Sequence, residues 1–204
     1  MDCFDGERVA QRADAGKEFQ IRRLIFAINI TVDGFCDHTT VIADDELHEY
    51  YTELLRRVDT VVFGRITYEL MASHWPSVAK NGSGTKAENE FAKAIDRVNK
   101  VVFSKTLKNV EWKNARISRA DIQEEILTLK QQSGKDISLG GLSIASSLTQ
   151  LGLIDEYLFV VQPIVAGKGK RLFESTDIRE RVRLKLVNSK TFQSGVVALH
   201  YKKD

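Results

Sequence analysis

The sequence predicts an α/β fold in which a mainly parallel central sheet ends in antiparallel strands. Apolar runs alternate with helical patterns from residue 24 to about residue 151, which is typical of βα units around a parallel sheet. The first run, at 24–30, is continuous rather than alternating, as expected of a strand covered on both faces. After Gly152 three strand-like runs follow with no helix of comparable length between them, which favours antiparallel pairing.

The spacing of apolar residues predicts the individual elements. Further strands are expected at 60–63, 101–103, 115–117, 137–139, 157–165, 182–187 and 196–201. A helix is expected after the acidic pair Asp44-Asp45, because Leu47 and the apolar residues that follow it share one face. Other helices are predicted to begin directly at Arg65 and to run through 91–98, 122–129 and 144–151, whereas the polar stretch 76–84 is predicted to be a loop.

The composition is that of an ordinary globular protein. Of 204 residues 43% are hydrophobic, and the net charge is only +2, so we expect neither a nucleic-acid partner nor a membrane partner. Two cysteines cannot form a disulfide framework, which favours a reduced, cytoplasmic compartment. The four histidines lack metal-ligand spacing, so no metal site is expected. Residues 1–20 are expected to be a polar, disordered extension, and residues 21–204 a single domain.

The run Leu139-Gly140-Gly141-Leu142-Ser143 joins a predicted strand to a predicted helix. Two glycines at a helix start leave the backbone N–H groups accessible, and a phosphate can then bind them without meeting a side chain. A tight turn that requires positive φ is the alternative interpretation, and it needs no ligand.

Two other strand ends have related chemistry. In Gly64-Arg65-Ile66-Thr67 an arginine and a hydroxyl lie in the first helical turn, and both can donate to a phosphate. Ser104-Lys105 adds a hydroxyl and an ammonium group after the next strand. Each motif alone is more simply explained as a solvated or capping group. Together they indicate one elongated anion, such as a dinucleotide, along the carboxyl edge of the sheet.

These motifs, together with ITVDGF at 30–35 and the run from Asp155-Glu156 to Gly167-Lys168-Gly169, resemble the dihydrofolate-reductase-like superfamily. The branch that the chain resembles in particular contains the reductase domain of the bifunctional riboflavin-biosynthesis deaminase-reductases. The resemblance extends from about residue 22 to residue 201. It implies a three-layer fold with a mainly parallel sheet, NADPH bound across the carboxyl edge, a small heterocyclic substrate and a homodimer.

The resemblance also implies roles for individual residues. Ala27 and Asn29 would face the nicotinamide, and Ser104 and Lys105 would lie on the side of the adenosine 2′-phosphate. The remaining phosphate contacts would come from Gly64, Arg65, Thr67, Gly140, Gly141, Leu142, Ser143 and Ile144. The basic run 167–170 could meet a phosphorylated substrate, although a solvated hairpin explains it as well.

The catalytic candidates are Asp33 and His48. Asp33 borders the substrate in the resembling family, although Asp33-Gly34 is also a good turn dipeptide. Dihydrofolate reductases carry a buried acid sixteen residues before the glycine of the Gly-Arg motif, and here that count reaches His48. Folate reduction is therefore not the expected main activity, and a surface-facing histidine is the alternative interpretation of His48.

We therefore expect an NADPH-dependent oxidoreductase that resembles 5-amino-6-(5-phosphoribosylamino)uracil reductase. The alternatives are a dihydrofolate reductase, a nucleotide-binding sensor that has lost catalysis, and a structural dimer module. No His/Cys zinc signature of a deaminase domain precedes the reductase-like part.

Overall fold

The computed structural model describes residues 21–174 and 181–204, so the prediction for residues 1–20 lies outside the described part. Eight strands and six α-helices are present in the described residues. The strands are β1 (Leu24–Thr31), β2 (Val58–Gly64), β3 (Asn99–Phe103), β4 (Ala115–Ser118), β5 (Asp136–Gly140), β6 (Glu156–Gln162), β7 (Leu184–Thr191) and β8 (Val197–Lys203). The helices are α1 (Asp45–Arg57), α2 (Arg65–Ala72), α3 (Trp75–Asn81), α4 (Lys86–Arg97), α5 (Ile122–Gln131) and α6 (Leu142–Gln150).

The strands form one sheet in the order β4-β3-β2-β5-β1-β6-β8-β7. Pairings among β1 to β6 are parallel, and β8 pairs antiparallel with both β6 and β7. The predicted fold class is therefore confirmed, including the antiparallel end of the sheet.

Successive residues of β1 contribute to opposite sides of the sheet, which gives three layers. Ile25 packs in a core with Leu54 and Leu55 of α1 and with aromatic and aliphatic residues of α4. Phe26 packs in a second core with residues of α5 and α6, including Leu148. Burial on both faces is the reason why this strand is continuously apolar.

The helix starts follow from capping chemistry. Asp44 accepts a hydrogen bond from Leu47 N at 2.8 Å, which confirms the acidic start predicted for α1. The loop predicted at 76–84 is wrong over residues 76–81, because α3 occupies Trp75–Asn81. Pro76 is compatible with a first helical turn, where its missing N–H needs no partner, and Gly82 at φ +62° ends the helix.

Glu156 begins β6 at the amino edge of the parallel strands and is 1% exposed. Its carboxylate lies 2.6 Å from Arg23 Nη1, 2.7 Å from His200 Nε2 and 3.3 Å from Arg57 Nη2. This cluster joins the residue before β1 to α1, β6 and β8. The carboxyl edge, at the other end of the same strands, contains the candidate site.

Candidate functional site

Three strand ends lie side by side at the carboxyl edge of the sheet. The register pairs Phe63 of β2 with Gly140 of β5, and Gly64 of β2 with Phe103 of β3. The residues that follow these strands therefore leave the sheet at one level. This confirms the predicted alignment of the glycine motifs with Ser104.

Strand β1 continues beyond this level. Its last pair with β5 is Phe26 with Leu139, whereas its pairing with β6 extends to Thr31 and Gln162. Residues 27–31 consequently have β6 on one side and no strand on the other among the described residues. This free edge of β1 extends past the level at which β5 ends in the Gly140-Gly141 turn. Ala27 and Asn29 lie on it and are half-buried.

Two helices begin at this edge of the sheet, α2 directly after β2 and α6 after β5. Gly64 precedes α2 and Gly141 precedes α6, and neither helix has a side-chain cap. The first N–H groups of each helix therefore have no side-chain acceptor at the cap, and each helix start carries the positive end of a helix dipole.

Glycine is required where the two helix starts meet. Gly141 has φ +126°, and a Cβ atom on it would lie 3.3 Å from Thr67 Oγ1 and 3.5 Å from Gly64 N. A Cβ atom on Gly140 would lie 3.2 Å from the Phe63 ring. The glycines thus allow the starts of α2 and α6 to approach each other closely. Two helix starts that lie together favour the binding of an anion.

The other residues predicted for the phosphates lie at the same two helix starts. Ser143 is exposed in the first turn of α6, Leu142 is half-buried, and Ile144 is buried, with Cδ1 3.5 Å from the Cβ position of Gly64. Arg65 is exposed at the start of α2, where its Nη1 lies 2.8 Å from Glu69 Oε2. Its guanidinium is therefore bound to a carboxylate of its own helix.

The segment after β3 is held by an arginine that the sequence reasoning missed. Ser104 Oγ accepts hydrogen bonds from the backbone N–H groups of Thr106 and Leu107, and Lys105 is exposed. Arg119 donates to the backbone carbonyls of Ser104, Lys105 and Leu107 at 3.3, 3.1 and 2.9 Å. The sequence does contain one indication of this role: Arg119 directly follows β4, which pairs with β3, so it leaves the sheet next to Ser104.

A polar network contacts the free edge of β1. Gln162 Nε2 donates to Asn29 Oδ1 at 3.1 Å, and Gln162 Oε1 accepts from Ile42 N at 2.9 Å. Tyr51 of α1 packs against the same core cluster as Ala27 of β1. Burial raises the pKa of the Tyr51 hydroxyl above its ordinary value. Sequence reasoning missed Gln162, and it counted Tyr51 only as part of an apolar helix face.

Asp33 is occupied by local hydrogen bonds. Its carboxylate accepts from Thr31 Oγ1 at 2.6 Å, from Gly167 N at 2.8 Å and from Ala166 N at 3.1 Å. These bonds lower the pKa of Asp33 to about 2, the Thr31 bond contributing most. Asp33 therefore fastens the segment that contains Gly167 to the turn after β1.

His48 lies between helices. It is 8% exposed, its ring contacts Trp75 and Phe91 with centroids 5.6 and 5.8 Å apart, and its Nδ1 lies 2.9 Å from Asp44 O. The contacts of His48 are with residues at α1, α3 and α4. The hydrogen-bond partners of the Asp33 carboxylate are the Thr31 hydroxyl and the backbone N–H groups of residues 166–167. The structure does not join these two residues in one hydrogen-bond network, and their catalytic roles stay predictions.

Residues 21–174 and 181–204 contain neither a cluster of metal ligands nor a membrane-spanning helix. They contain no group of three or more His, Cys, Asp or Glu side chains that could hold a metal ion. None of the helices in this part of the chain is long and apolar enough to span a membrane.

The sequence profile of the RibD C-terminal domain family matches residues 22–198. Among curated proteins, the chain is 34% identical over 186 residues to the uncharacterized protein YyaP of Bacillus subtilis (strain 168). That match covers 88% of this chain and 94% of YyaP.

Solved structures with the same fold include two enzymes. The diaminohydroxyphosphoribosylaminopyrimidine deaminase/5-amino-6-(5-phosphoribosylamino)uracil reductase of Thermotoga maritima has a TM-score of 0.62 at 15% identity. That match covers 90% of this chain and 57% of the Thermotoga chain. Dihydrofolate reductase from Enterococcus faecalis, complexed with NADP(H), has a TM-score of 0.59 at 14% identity, with 89% of this chain and 96% of that chain covered. At these identities the likeness establishes the dihydrofolate-reductase-like fold.

Proposed function

The chain belongs to the RibD C-terminal domain family, and we propose that it is an NADPH-dependent reductase that transfers hydride to a small heterocyclic substrate. The observation that carries the proposal is the meeting of two uncapped helix starts, at Gly64 and Gly141, beside the free edge of β1. Backbone amides at the helix starts and an open strand edge suit a ligand with both a pyrophosphate and a planar ring.

Different residues of the chain would bind different parts of the cofactor. Gly64, Thr67 and the run 140–144 would hold the pyrophosphate, with Arg65 adding a charged donor. Ser104 and Lys105, on the segment ordered by Arg119, would lie towards the 2′-phosphate, and Ala27 and Asn29 would contact the nicotinamide. When bound, NADPH supplies the hydride. The protein holds the reacting carbons together and excludes water.

The proposed substrate is the pyrimidine that the name of the Thermotoga protein describes, 5-amino-6-(5-phosphoribosylamino)uracil. The segment fastened by Asp33 carries Lys168, Lys170 and Arg171, which are exposed and able to attract a substrate phosphate. Asp33 would order this segment beside the substrate, and His48 would be a source of protons. A cytoplasmic location and a homodimer complete the proposal.

Dihydrofolate is expected to be a poor substrate. A pterin presents a donor-rich edge that a carboxylate can accept in two hydrogen bonds, whereas a neutral imidazole has one acceptor. The position counted for that carboxylate is His48, and its Nδ1 already faces the Asp44 carbonyl.

Two measurements test the proposal. Calorimetric titration with NADPH and NADH measures cofactor binding, and the loss of NADPH absorbance with the pyrimidine or with dihydrofolate measures turnover. We expect tighter binding of NADPH and faster turnover of the pyrimidine. Binding without turnover of any heterocycle would instead support a nucleotide sensor. Efficient folate reduction would contradict the substrate assignment, and no binding of either cofactor would favour a structural module.

A further inference from the structure

We propose that Arg119 sets the preference for NADPH over NADH, although it lies outside every phosphate motif of the sequence. It is a positioning residue, because it holds the segment after β3 (residues 104–107) in the shape that receives the 2′-phosphate through Ser104 and Lys105. The inference rests on the proposed reductase function, and it deepens that function by naming a residue that determines cofactor specificity. The hydrogen bonds of the segment, its place beside the helix starts and the charge of the guanidinium carry the inference.

Two sets of hydrogen bonds hold the segment after β3. Within the segment, Ser104 Oγ accepts from the backbone N–H groups of Thr106 at 3.2 Å and Leu107 at 2.9 Å. From outside it, Arg119 Nη1 donates to the carbonyl oxygens of Ser104 and Lys105 at 3.3 and 3.1 Å. Arg119 Nη2 donates to the carbonyl oxygen of Leu107 at 2.9 Å. One guanidinium can bind three carbonyls in a fixed arrangement because it is planar and its N–H groups diverge at fixed angles.

These bonds separate the donors of the segment from its acceptors. The Ser104 oxygen accepts two backbone N–H groups, so its lone pairs are used and its O–H group is the part that can donate to an anion. The carbonyl oxygens of the segment are bound to Arg119. Lys105 is exposed and adds an ammonium group. The segment therefore offers a hydroxyl and a cation to a phosphate.

The segment leaves the sheet beside the two helix starts. Gly64 of β2 pairs with Phe103 of β3, so Ser104 emerges one strand away from the start of α2. On the other side of β2, Phe63 pairs with Gly140, which precedes the start of α6. Neighbouring strands lie about 4.8 Å apart. A ligand with its pyrophosphate at the two helix starts can therefore bring a further phosphate to the segment after β3.

The charge of Arg119 makes this segment suitable for an anion. Three carbonyl oxygens that point towards one place repel a phosphate, and the guanidinium offsets their partial charges there. Without Arg119 these oxygens would lack their common donor, and the backbone that carries Lys105 would lose its fixed position. NADH has a hydroxyl group where NADPH has the 2′-phosphate. The loss of Arg119 should therefore affect NADPH far more than NADH.

The test compares Arg119→Met with Arg116→Met, both of which keep an unbranched apolar stem. Arg116 is the matched control because it is an exposed arginine of β4 that pairs with Glu125 instead of the segment after β3. We expect Arg119→Met to weaken NADPH binding about tenfold or more in calorimetric titration and to leave NADH binding unchanged. Arg116→Met should change neither affinity. Thermal unfolding of both variants checks that the fold is retained.

Two further measurements separate positioning from direct contact with the phosphate. In the absence of cofactor, the amide hydrogens of Thr106 and Leu107 should exchange faster in Arg119→Met, because the segment loses its outer hydrogen bonds. Lys105→Ala should weaken NADPH binding less in the Arg119→Met background than in wild type, since both changes act on one contact. Arg119→Lys keeps the charge but not the three bonds, so it should restore only part of the affinity. Unchanged exchange together with full recovery in Arg119→Lys would overturn the positioning role.

Two adenosine phosphates make the inference testable without hydride transfer. We expect wild type to bind adenosine 2′,5′-bisphosphate about tenfold more tightly than adenosine 5′-monophosphate, and Arg119→Met to lose most of this preference. If wild type shows this preference but reduces no heterocycle, the proposed reductase function fails and the role of Arg119 stands. Equal affinity of wild type and Arg119→Met for the bisphosphate would overturn the inference. The absence of any preference for the bisphosphate in wild type would overturn it as well.

Discussion

Gly141 lies directly against Thr67: a Cβ atom on the glycine would be 3.3 Å from Thr67 Oγ1. The same position is 3.5 Å from Gly64 N, so the starts of α2 and α6 meet at one point. The combined field of two helix starts favours an anion there, and a negative charge added nearby should compete with a bound phosphate.

Ser143→Asp tests this site with little risk to the fold. Ser143 is exposed in a first helical turn that has no acidic residue, so the new carboxylate should leave helix stability equal or raise it by about 0.3–1 kcal/mol. The affinity for NADPH should fall at least tenfold, equivalent to about 1.4 kcal/mol. Calorimetric titration and thermal unfolding measure the two effects.

Ser143→Asn is the uncharged control and should bind NADPH almost normally. Unchanged affinity in Ser143→Asp would remove the pyrophosphate from this helix start. Gly141 is a less informative position, because its φ of +126° strains any other residue and lowers stability as well as binding.

Lys105→Ala tests the 2′-phosphate side. Lys105 is exposed on a segment ordered by Arg119, so its ammonium group can reach a ligand at the cost of little folding energy. The variant should bind NADPH about tenfold more weakly, since a hydrogen bond to a charged group contributes about 1.5–3 kcal/mol. Its NADH affinity should not change. Lys108→Ala, an exposed lysine of the same segment, is the control. Parallel losses for both cofactors would argue against the 2′-phosphate role.

Asp33→Asn should change how stability depends on pH. The folded-state pKa of Asp33 is lowered from 3.8 to about 2, so ionised Asp33 stabilises the fold above about pH 4. This stabilisation is lost as the pH falls towards 2. We expect the variant to melt at a lower temperature than wild type at neutral pH, and the difference to shrink below about pH 4. Melting curves along a pH series measure it, and a difference that persists to pH 2 would contradict the assignment.

The amide hydrogens of Ala166 and Gly167 should also exchange faster in Asp33→Asn, because the carboxylate accepts from both of these N–H groups. Faster exchange at these two amides would show that the change in stability comes from the loss of their hydrogen bonds to Asp33.

Glu156→Gln tests the cluster at the amino edge. Glu156 is 1% exposed and is shared by Arg23, Arg57 and His200, whereas the two arginines are about 40% exposed and Arg23 also pairs with Asp136. We therefore expect neutralisation of this carboxylate to lower the free energy of unfolding by about 1.5–3 kcal/mol. Glu53→Gln removes an exposed pair with Arg56 and should cost less than about 1 kcal/mol. Urea unfolding measures both variants. NADPH affinity should be unchanged in Glu156→Gln, and a stability loss below that of Glu53→Gln would refute the structural role.

Local sequence patterns predicted most of the fold, but they did not predict α3, which lies in a polar stretch. The apolar face of α1 and its Asp44 cap identify that helix because neighbours along a helix supply both signals. Helix α3 was not predicted because its seven residues are too few to show a helical repeat of apolar residues. Pro76 was interpreted as a loop residue, although proline is also common in the first turn of a helix.

The sequence by itself determined the order of strands and helices and the glycine turns at Gly64 and Gly140-Gly141, because these depend on neighbours along the chain. Tertiary structure alone decided which polar groups meet. Asn29 and Gln162 come from β1 and β6, and only the sheet register brings their side chains together. Likewise, Asp33 is a turn residue in the sequence, and only the fold places the backbone of Ala166 and Gly167 within reach of its carboxylate. Hydrogen bonds between residues far apart in the chain leave no period or spacing in the sequence, because their partners are selected by geometry in three dimensions.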